Sequence, residues 1–253
     1  MKADRKKTKN KAAKKENKNK FIRFSKFSRF LIITAHPDDE TIFSGGLLSR
    51  FSRSSFVFCS THGLGVAKNS KERKEVKKKR EKEFKNALKK LNVKFKIANN
   101  IDDLNYHLWL EKYGAEKTFN KIKELLKPMI KNLALNFKPN FIVTHNSLGE
   151  YGHFLHKTIY RIVYETFREL REEFREFSGL KLLTFAPELR IRNINTNRLL
   201  KTKHQKVHLR LILSDTELDK KLMALKCYSS QKSIFDTNNE DDFRVENYHI
   251  VMK

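Results

Sequence analysis

The apolar run Leu31-Ile32-Ile33-Thr34-Ala35 stops abruptly in His36-Pro37-Asp38-Asp39-Glu40. A short, nearly continuous apolar run suits a strand buried on both faces of a sheet. Pro37 cannot continue such a strand, so the polar cluster belongs to the loop at its C-terminal end. In open α/β sheets, ligands bind outside that end of the strands. His36 and Asp39 are spaced to grip one metal ion from a single turn, and Asp38 between them is free to act as a base. A structural reading competes: Asp38, Asp39 and Glu40 would cap the helix that follows and do nothing else.

Downstream, the chain alternates in type. Strands are expected over Phe30–Ala35, Ser55–Thr61, Val93–Ala98, Phe141–Thr144, Leu180–Phe185 and Val207–Leu213. Helices are expected over Thr41–Phe51, Ser70–Leu91, Phe119–Leu135, His153–Phe177 and Asp215–Tyr228. Gly45-Gly46 lets the first helix pack closely on a neighbour, Pro128 should bend or divide the third, and Asp215 stands near the N-cap of the last. Strands alternating with helices imply a Rossmann-like α/β three-layer sandwich with a mostly parallel central sheet. Residues 21–253 read as one domain. Residues 1–20 are mostly Lys, Asn and Ala with almost no large apolar side chain. Such a segment cannot bury enough surface to offset its ordering entropy, so it reads as a disordered basic arm.

A second polar cluster follows another apolar strand: His145-Asn146-Ser147-Leu148-Gly149-Glu150-Tyr151-Gly152-His153-Phe154-Leu155-His156. If both strands end at one sheet edge, His36, Asp39, His153 and His156 converge. His153 and His156 are three apart and share a helix face, so one can bind metal while the other faces a substrate. Three N/O ligands fit Zn²⁺ with an open position for water, whose pKa falls toward about 7; Fe²⁺ fits the same donors. Asp38 would take the proton of that water, and His153 would stabilise an oxyanion or protonate a leaving nitrogen.

Together, Ala-His-Pro-Asp-Asp-Glu after a strand and Gly-Glu-Tyr-Gly-His-x-x-His resemble the PIG-L/LmbE-like zinc deacetylases over roughly residues 30–232. That family removes N-acetyl groups from amino sugars such as N-acetylglucosamine conjugates. The resemblance implies His36, Asp39 and His156 as zinc ligands and Asp38 as general base. It implies His153, with Tyr151 beside it, at the tetrahedral intermediate, and Arg80 at the substrate edge. Tyr228-Ser229-Ser230-Gln231 is similar to a Ser-Gln signature after the family's last helix and is read as structural. Many members carry Pro-Asp between the two histidines of the second motif; this chain has Phe154-Leu155, and so lacks an acid that could orient a histidine.

The formal net charge of +26 invites polyanions: nucleic acid, anionic lipid headgroups or an anionic glycan. The alternative function is therefore a polyanion-binding protein on a hydrolase-like scaffold, although no nucleic-acid-reading motif accompanies the charge. Cys59 and Cys227 make no disulfide framework. No run reaches 18 apolar residues and no apolar segment follows the first lysines. The expected location is cytoplasmic or peripheral to a membrane, through the basic arm. His62, His107 and His145 are expected at the pocket mouth, and Trp109 and Tyr113 could stack on a sugar face.

Overall fold

The computed structural model describes residues 24–64, 70–98, 103–192, 198–203, 205–235 and 238–251. The basic arm, Asp102 and His204 lie outside the described residues. In chain order the elements are β1 (Phe30–Thr34), α1 (Asp39–Arg50), β2 (Ser55–Cys59), α2 (Ser70–Leu91), β3 (Lys94–Ile97), α3 (Asp103–Phe137), β4 (Phe141–Thr144) and α4 (Phe154–Glu173). There follow β5 (Lys181–Phe185), a hairpin of β6 (Arg190–Arg192) and β7 (Leu199–Lys201), β8 (Leu209–Ile212), α5 (Asp215–Leu225), the short α6 (Lys232–Phe235) and β9 (Val245–Val251).

A seven-stranded sheet runs in the order β3-β2-β1-β4-β5-β9-β8. The β3, β2, β1, β4 and β5 strands pair in parallel, and β9 joins β5 and β8 antiparallel. Successive side chains of β1 enter opposite cores. Phe30 and Ile32 pack with Phe43 and Leu47 of α1, Phe84 and Leu88 of α2, and Leu218 of α5. Leu31 and Ile33 pack with Ile122, Leu126 and Ile130 of α3 and Ile159 and Ile162 of α4. Three layers result, and they explain why β1 is apolar at every position that a one-sided sheet would leave polar. Order reverses between β1, which leads to β2, and β4, which follows a long crossover. The ends of β1 and β4 therefore share the switch point where α/β sheets hold ligands.

Two expectations are corrected. The third helix is longer than expected and is not divided at Pro128; it breaks at Gly114 instead, whose φ of 75° and ψ of 174° are open only to glycine. The fourth helix ends at Glu173, before a separate short turn over Arg175–Phe177. Asp215 does stand beside the N-cap of α5, which is Ser214, closing a capping box with Glu217. Gly45-Gly46 does pack closely: a Cβ at Gly46 would stand 2.2 Å from Leu213 Cδ2 and one at Gly45 2.7 Å from Lys221 Cγ. Beside that contact, Glu246 of β9 accepts the Gly46 and Leu47 amides at 2.7 and 2.8 Å, the Lys221 ammonium at 2.7 Å and the Tyr248 hydroxyl at 2.9 Å.

Candidate active site

His36 to Asp39 turn out of β1 into α1. Asp38 occupies the N-cap position, yet its side chain makes no capping hydrogen bond. Its carbonyl oxygen instead accepts the Thr41 and Ile42 amides, both at 2.9 Å. The reading of Asp38 as a side-chain cap therefore fails: its carboxylate faces Arg80 instead. Its backbone has φ 117°, which a non-glycine residue adopts only when its surroundings impose it. Glu40 supplies part of that constraint by accepting the Asp38 amide at 3.1 Å, while its other oxygen accepts Thr41 Oγ1 at 2.6 Å and the Tyr228 hydroxyl at 2.5 Å.

The Asp38 carboxylate faces Arg80, with Oδ2 3.5 Å from Nη1. Burial pushes the Asp38 carboxyl up to about 8, even though Arg80 draws it down. Arg80 is itself buried and donates to the carbonyls of Pro37 at 2.9 Å and His62 at 3.3 Å. It braces the loop that carries Asp38, rather than lining an open rim. Gly63 is what lets it in: a Cβ there would stand 2.4 Å from Arg80 Nη2.

Three side chains from the two clusters meet around one point. His156 Nε2 lies 3.3 Å from His36 Nδ1, His36 Nδ1 lies 3.3 Å from Asp39 Oδ2, and Asp39 Oδ2 lies 3.5 Å from His156 Nε2. Ligands held about 2.0–2.1 Å from a tetrahedral Zn²⁺ are roughly 3.3–3.4 Å from one another. The three donors thus already stand at the corners a single cation needs. Ring nitrogens of His36, His153 and His156 also lie within 4.8 Å of one another, as do donors of Asp39, His145 and His156. His145 is the least available of these, because its Nε2 accepts the Ala35 amide at 2.9 Å.

Glu150 fixes the tautomers. It is fully buried and accepts from His156 Nδ1 at 2.6 Å and from His145 Nδ1 at 3.0 Å. A proton on Nδ1 of His156 leaves the Nε2 lone pair directed at His36 and Asp39. Burial opposes the Glu150 carboxylate, but the two imidazoles outweigh it and hold the group down to about 2. At His145, burial opposes the cation while Glu150 and Asp39 lift it to about 9. The Ala35 amide decides the matter for this geometry, since only an unprotonated Nε2 can accept it. His145 then serves as a neutral prop, its ring stacked on His156 at 3.8 Å between centroids.

Glu150 and His153 are aimed by backbone that few residues tolerate. Glu150 has φ 51°, Gly149 φ 65° and Gly152 φ 97°. The Asn146 side chain holds the turn, accepting the Leu148 amide at 2.9 Å and the Glu150 amide at 3.2 Å and donating to Phe185 O at 2.8 Å. His153, half-buried at the N-cap of α4, sits 4.9 Å from His36 and 4.5 Å from His156 between ring centroids. Burial, reinforced by His156 and His36, drives its pKa well below the usual histidine value. Its Nδ1 has no hydrogen-bond partner among the described residues, consistent with Leu155 where many relatives of the resembling family carry an acid. Tyr151 packs edge-on against His153 and His156 at 5.8 and 5.4 Å, and burial raises its hydroxyl pKa, so it stays a donor.

His36, Asp38, Asp39, Tyr151, His153 and His156 therefore come together, with Arg80 behind Asp38. Other expectations are corrected. His62 and His145 are buried rather than at a mouth, with His62 Nε2 2.8 Å from Glu81 Oε1. Trp109 packs partly buried against the core, and Lys121 Nζ lies 5.8 and 4.9 Å from the Trp109 and Tyr113 ring centroids. Sequence reasoning missed Glu150 as the residue that orients the histidines; its place between two left-handed glycines was the available signal. Tyr228-Ser229-Ser230 is structural as read: Ser229 and Ser230 donate to Glu83 and Tyr228 donates to Glu40.

Residues 31–167 match the family model described as PIG-L: GlcNAc-PI de-N-acetylase. The uncharacterised protein L374 of Acanthamoeba polyphaga mimivirus is 30% identical over 146 residues, which cover 53% of this chain and 56% of that protein. This chain thus matches little more than half the length of that relative. N,N'-diacetylchitobiose deacetylase from Pyrococcus horikoshii superposes with a TM-score of 0.58 at 16% identity, over 88% of this chain and 84% of its own. A deacetylase solved with teicoplanin gives 0.62 at 15%, over 89% and 100%. GalB, the 4-carboxy-2-hydroxymuconate hydratase of Pseudomonas putida KT2440, gives 0.61 at 15%, over 89% and 97%. Deacetylases and a hydratase share this fold, so the fold alone does not choose the reaction.

Proposed function

The chain belongs to the PIG-L de-N-acetylase family, and from that premise we propose that it is a metal-dependent hydrolase that removes the acetyl group from the nitrogen of an N-acetylated amino sugar or glycoconjugate. One observation carries the reading: His36, Asp39 and His156 present donors 3.3–3.5 Å apart beside the strained, buried Asp38. In this reading those three residues hold the cation, with Zn²⁺ the best match to two imidazoles and a carboxylate and Fe²⁺ the alternative. A divalent cation there supplies Lewis acidity, making water acidic and polarising an acyl carbonyl.

The protein's own groups do the rest. Asp38 accepts the proton of the attacking water, and Arg80 and Glu40 hold it in place to do so. His153, neutral in its buried setting, donates an N–H to the developing oxyanion, with the Tyr151 hydroxyl as a second donor. The proton taken by Asp38 is then available to the departing nitrogen, which leaves as a free amine. Glu150 keeps His156 in the tautomer that leaves Nε2 free.

Metal analysis of the purified protein, coupled to amine release over a panel of N-acetylated sugars, tests the reading. Stoichiometric divalent metal and release from at least one sugar are expected. Protein that binds no divalent metal, or binds it and releases no amine from any member, rejects it. No helix among the described residues is long and apolar enough to cross a membrane.

A further inference from the structure

Lys71, Lys74, Lys78, Lys82, Lys85 and Lys89 recur every three or four residues along α2, and all are exposed. At that spacing they form a single stripe on one helix face, about 27 Å long at 1.5 Å per residue. The inward face of the same helix is fully used: Phe84, Ala87 and Leu88 enter the core, Arg80 reaches Asp38, and Glu83 holds Ser229 and Ser230. Glu81 is turned toward His62 and reaches Lys85 only at 4.0 Å. Among the described residues, no carboxylate pairs with Lys71, Lys74, Lys78, Lys82 or Lys89.

The opposite layer is built otherwise. There Lys123 pairs with Glu165 at 3.3 Å, Lys127 with Glu169, Lys131 with Glu173 at 2.7 Å, Arg161 with Glu116 at 2.9 Å and Arg168 with Glu172 at 3.0 Å. Over Lys123–Lys131 of α3 every lysine has a carboxylate partner on α4, whereas of the six stripe lysines of α2 only Lys85 comes within 4.0 Å of one. Arg80 and Glu81 stand level with the Pro37 and His62 loops, so the turns before them rise past the C-terminal edge of the sheet, beside the site. The stripe leads up to that edge.

We propose that this stripe binds a linear acidic polysaccharide, carboxylated or sulfated, and guides its N-acetylated residues to the site; the guidance rests on the deacetylase reading, the binding does not. A single row of cations matches a single row of anions. The stripe has no exposed aromatic or Arg on which nucleobases could stack. None of the exposed large apolar side chains lies on α2, so nothing there would enter a bilayer.

The test compares the full chain with its Lys74→Glu/Lys78→Glu/Lys82→Glu variant, and with the Lys→Gln triple as a milder control, for binding to polygalacturonate and heparin oligosaccharides. Single-stranded DNA of matching charge and phosphatidylserine vesicles are measured alongside. The wild-type chain should bind at least one acidic glycan, more weakly as salt rises, and the Glu variant should bind it about tenfold or more weaker, with the Gln variant between them. Equal binding by all three forms, or no glycan binding by wild type, overturns the proposal. So does tighter binding of wild type to DNA or vesicles than to both glycans. Amine release by wild type from a neutral N-acetylated sugar is assayed separately; its absence would end the deacetylase reading and the guidance with it, while the binding comparison still decides the stripe.

Discussion

Tyr228 donates its hydroxyl hydrogen to Glu40 at 2.5 Å, joining residues 188 positions apart. Glu40 passes the constraint on through the Asp38 amide. A backbone with φ 117° persists only where its neighbours over-determine it, and this relay is one of those determinants. Tyr228→Phe removes one hydrogen bond from a buried carboxylate. It should cost about 1–3 kcal/mol of stability, leave metal content unchanged and lower turnover. Denaturant titration, metal analysis and kcat together check this; unchanged kcat would mean that Asp38 is held without Tyr228.

Asp38→Ala should retain bound metal and lose roughly 10²–10⁴ in turnover, the usual range for a positioned general base. Full activity in that variant would assign the base elsewhere. Arg80→Met should lower turnover through the loss of its contacts to Asp38 and Pro37, with metal retained.

His156→Ala should lose the metal along with activity. Glu150→Gln keeps a hydrogen-bond acceptor but removes the charge that fixes the histidine tautomers. It should weaken metal affinity by about 10–100-fold, as read by competition with a chelator. Stoichiometric, tightly held metal in His156→Ala would reject that ligand.

Glu246→Ala should be among the most damaging substitutions in the chain although it lies outside the site. It strands the buried Lys221 ammonium and the Gly46 and Leu47 amides. Breaking such a pair costs about 3–5 kcal/mol. Thermal unfolding measures it, and a loss near zero would show that water replaces the carboxylate.

How much of this was readable follows from where each signal is local. The β1 strand and its polar ending were legible because apolar residues on both faces and a proline stop leave few other folds. His156 was legible because the helix period puts it beside His153. By contrast, β9 was invisible: Glu246, Asn247 and His249 break any strand-like apolar pattern, and only the buried partners of Glu246 explain why it lies inside. Pro128 does not divide α3 whereas Gly114 does, since proline restricts one conformation and glycine alone permits another. The burial of His145 and His62 depended on carboxylates, Glu150 and Glu81, whose partners are set by tertiary approach.

The position of β9 between β5 and β8 has a bearing on synthesis. An interior strand drawn from residues 245–251 cannot be inserted before those residues have left the ribosome. Until then β8 has no neighbour to pair with, and the first helix lacks the acid that caps its inner amides. The nascent chain thus completes its native sheet only after residues 245–251 have emerged, however early its first strands have met.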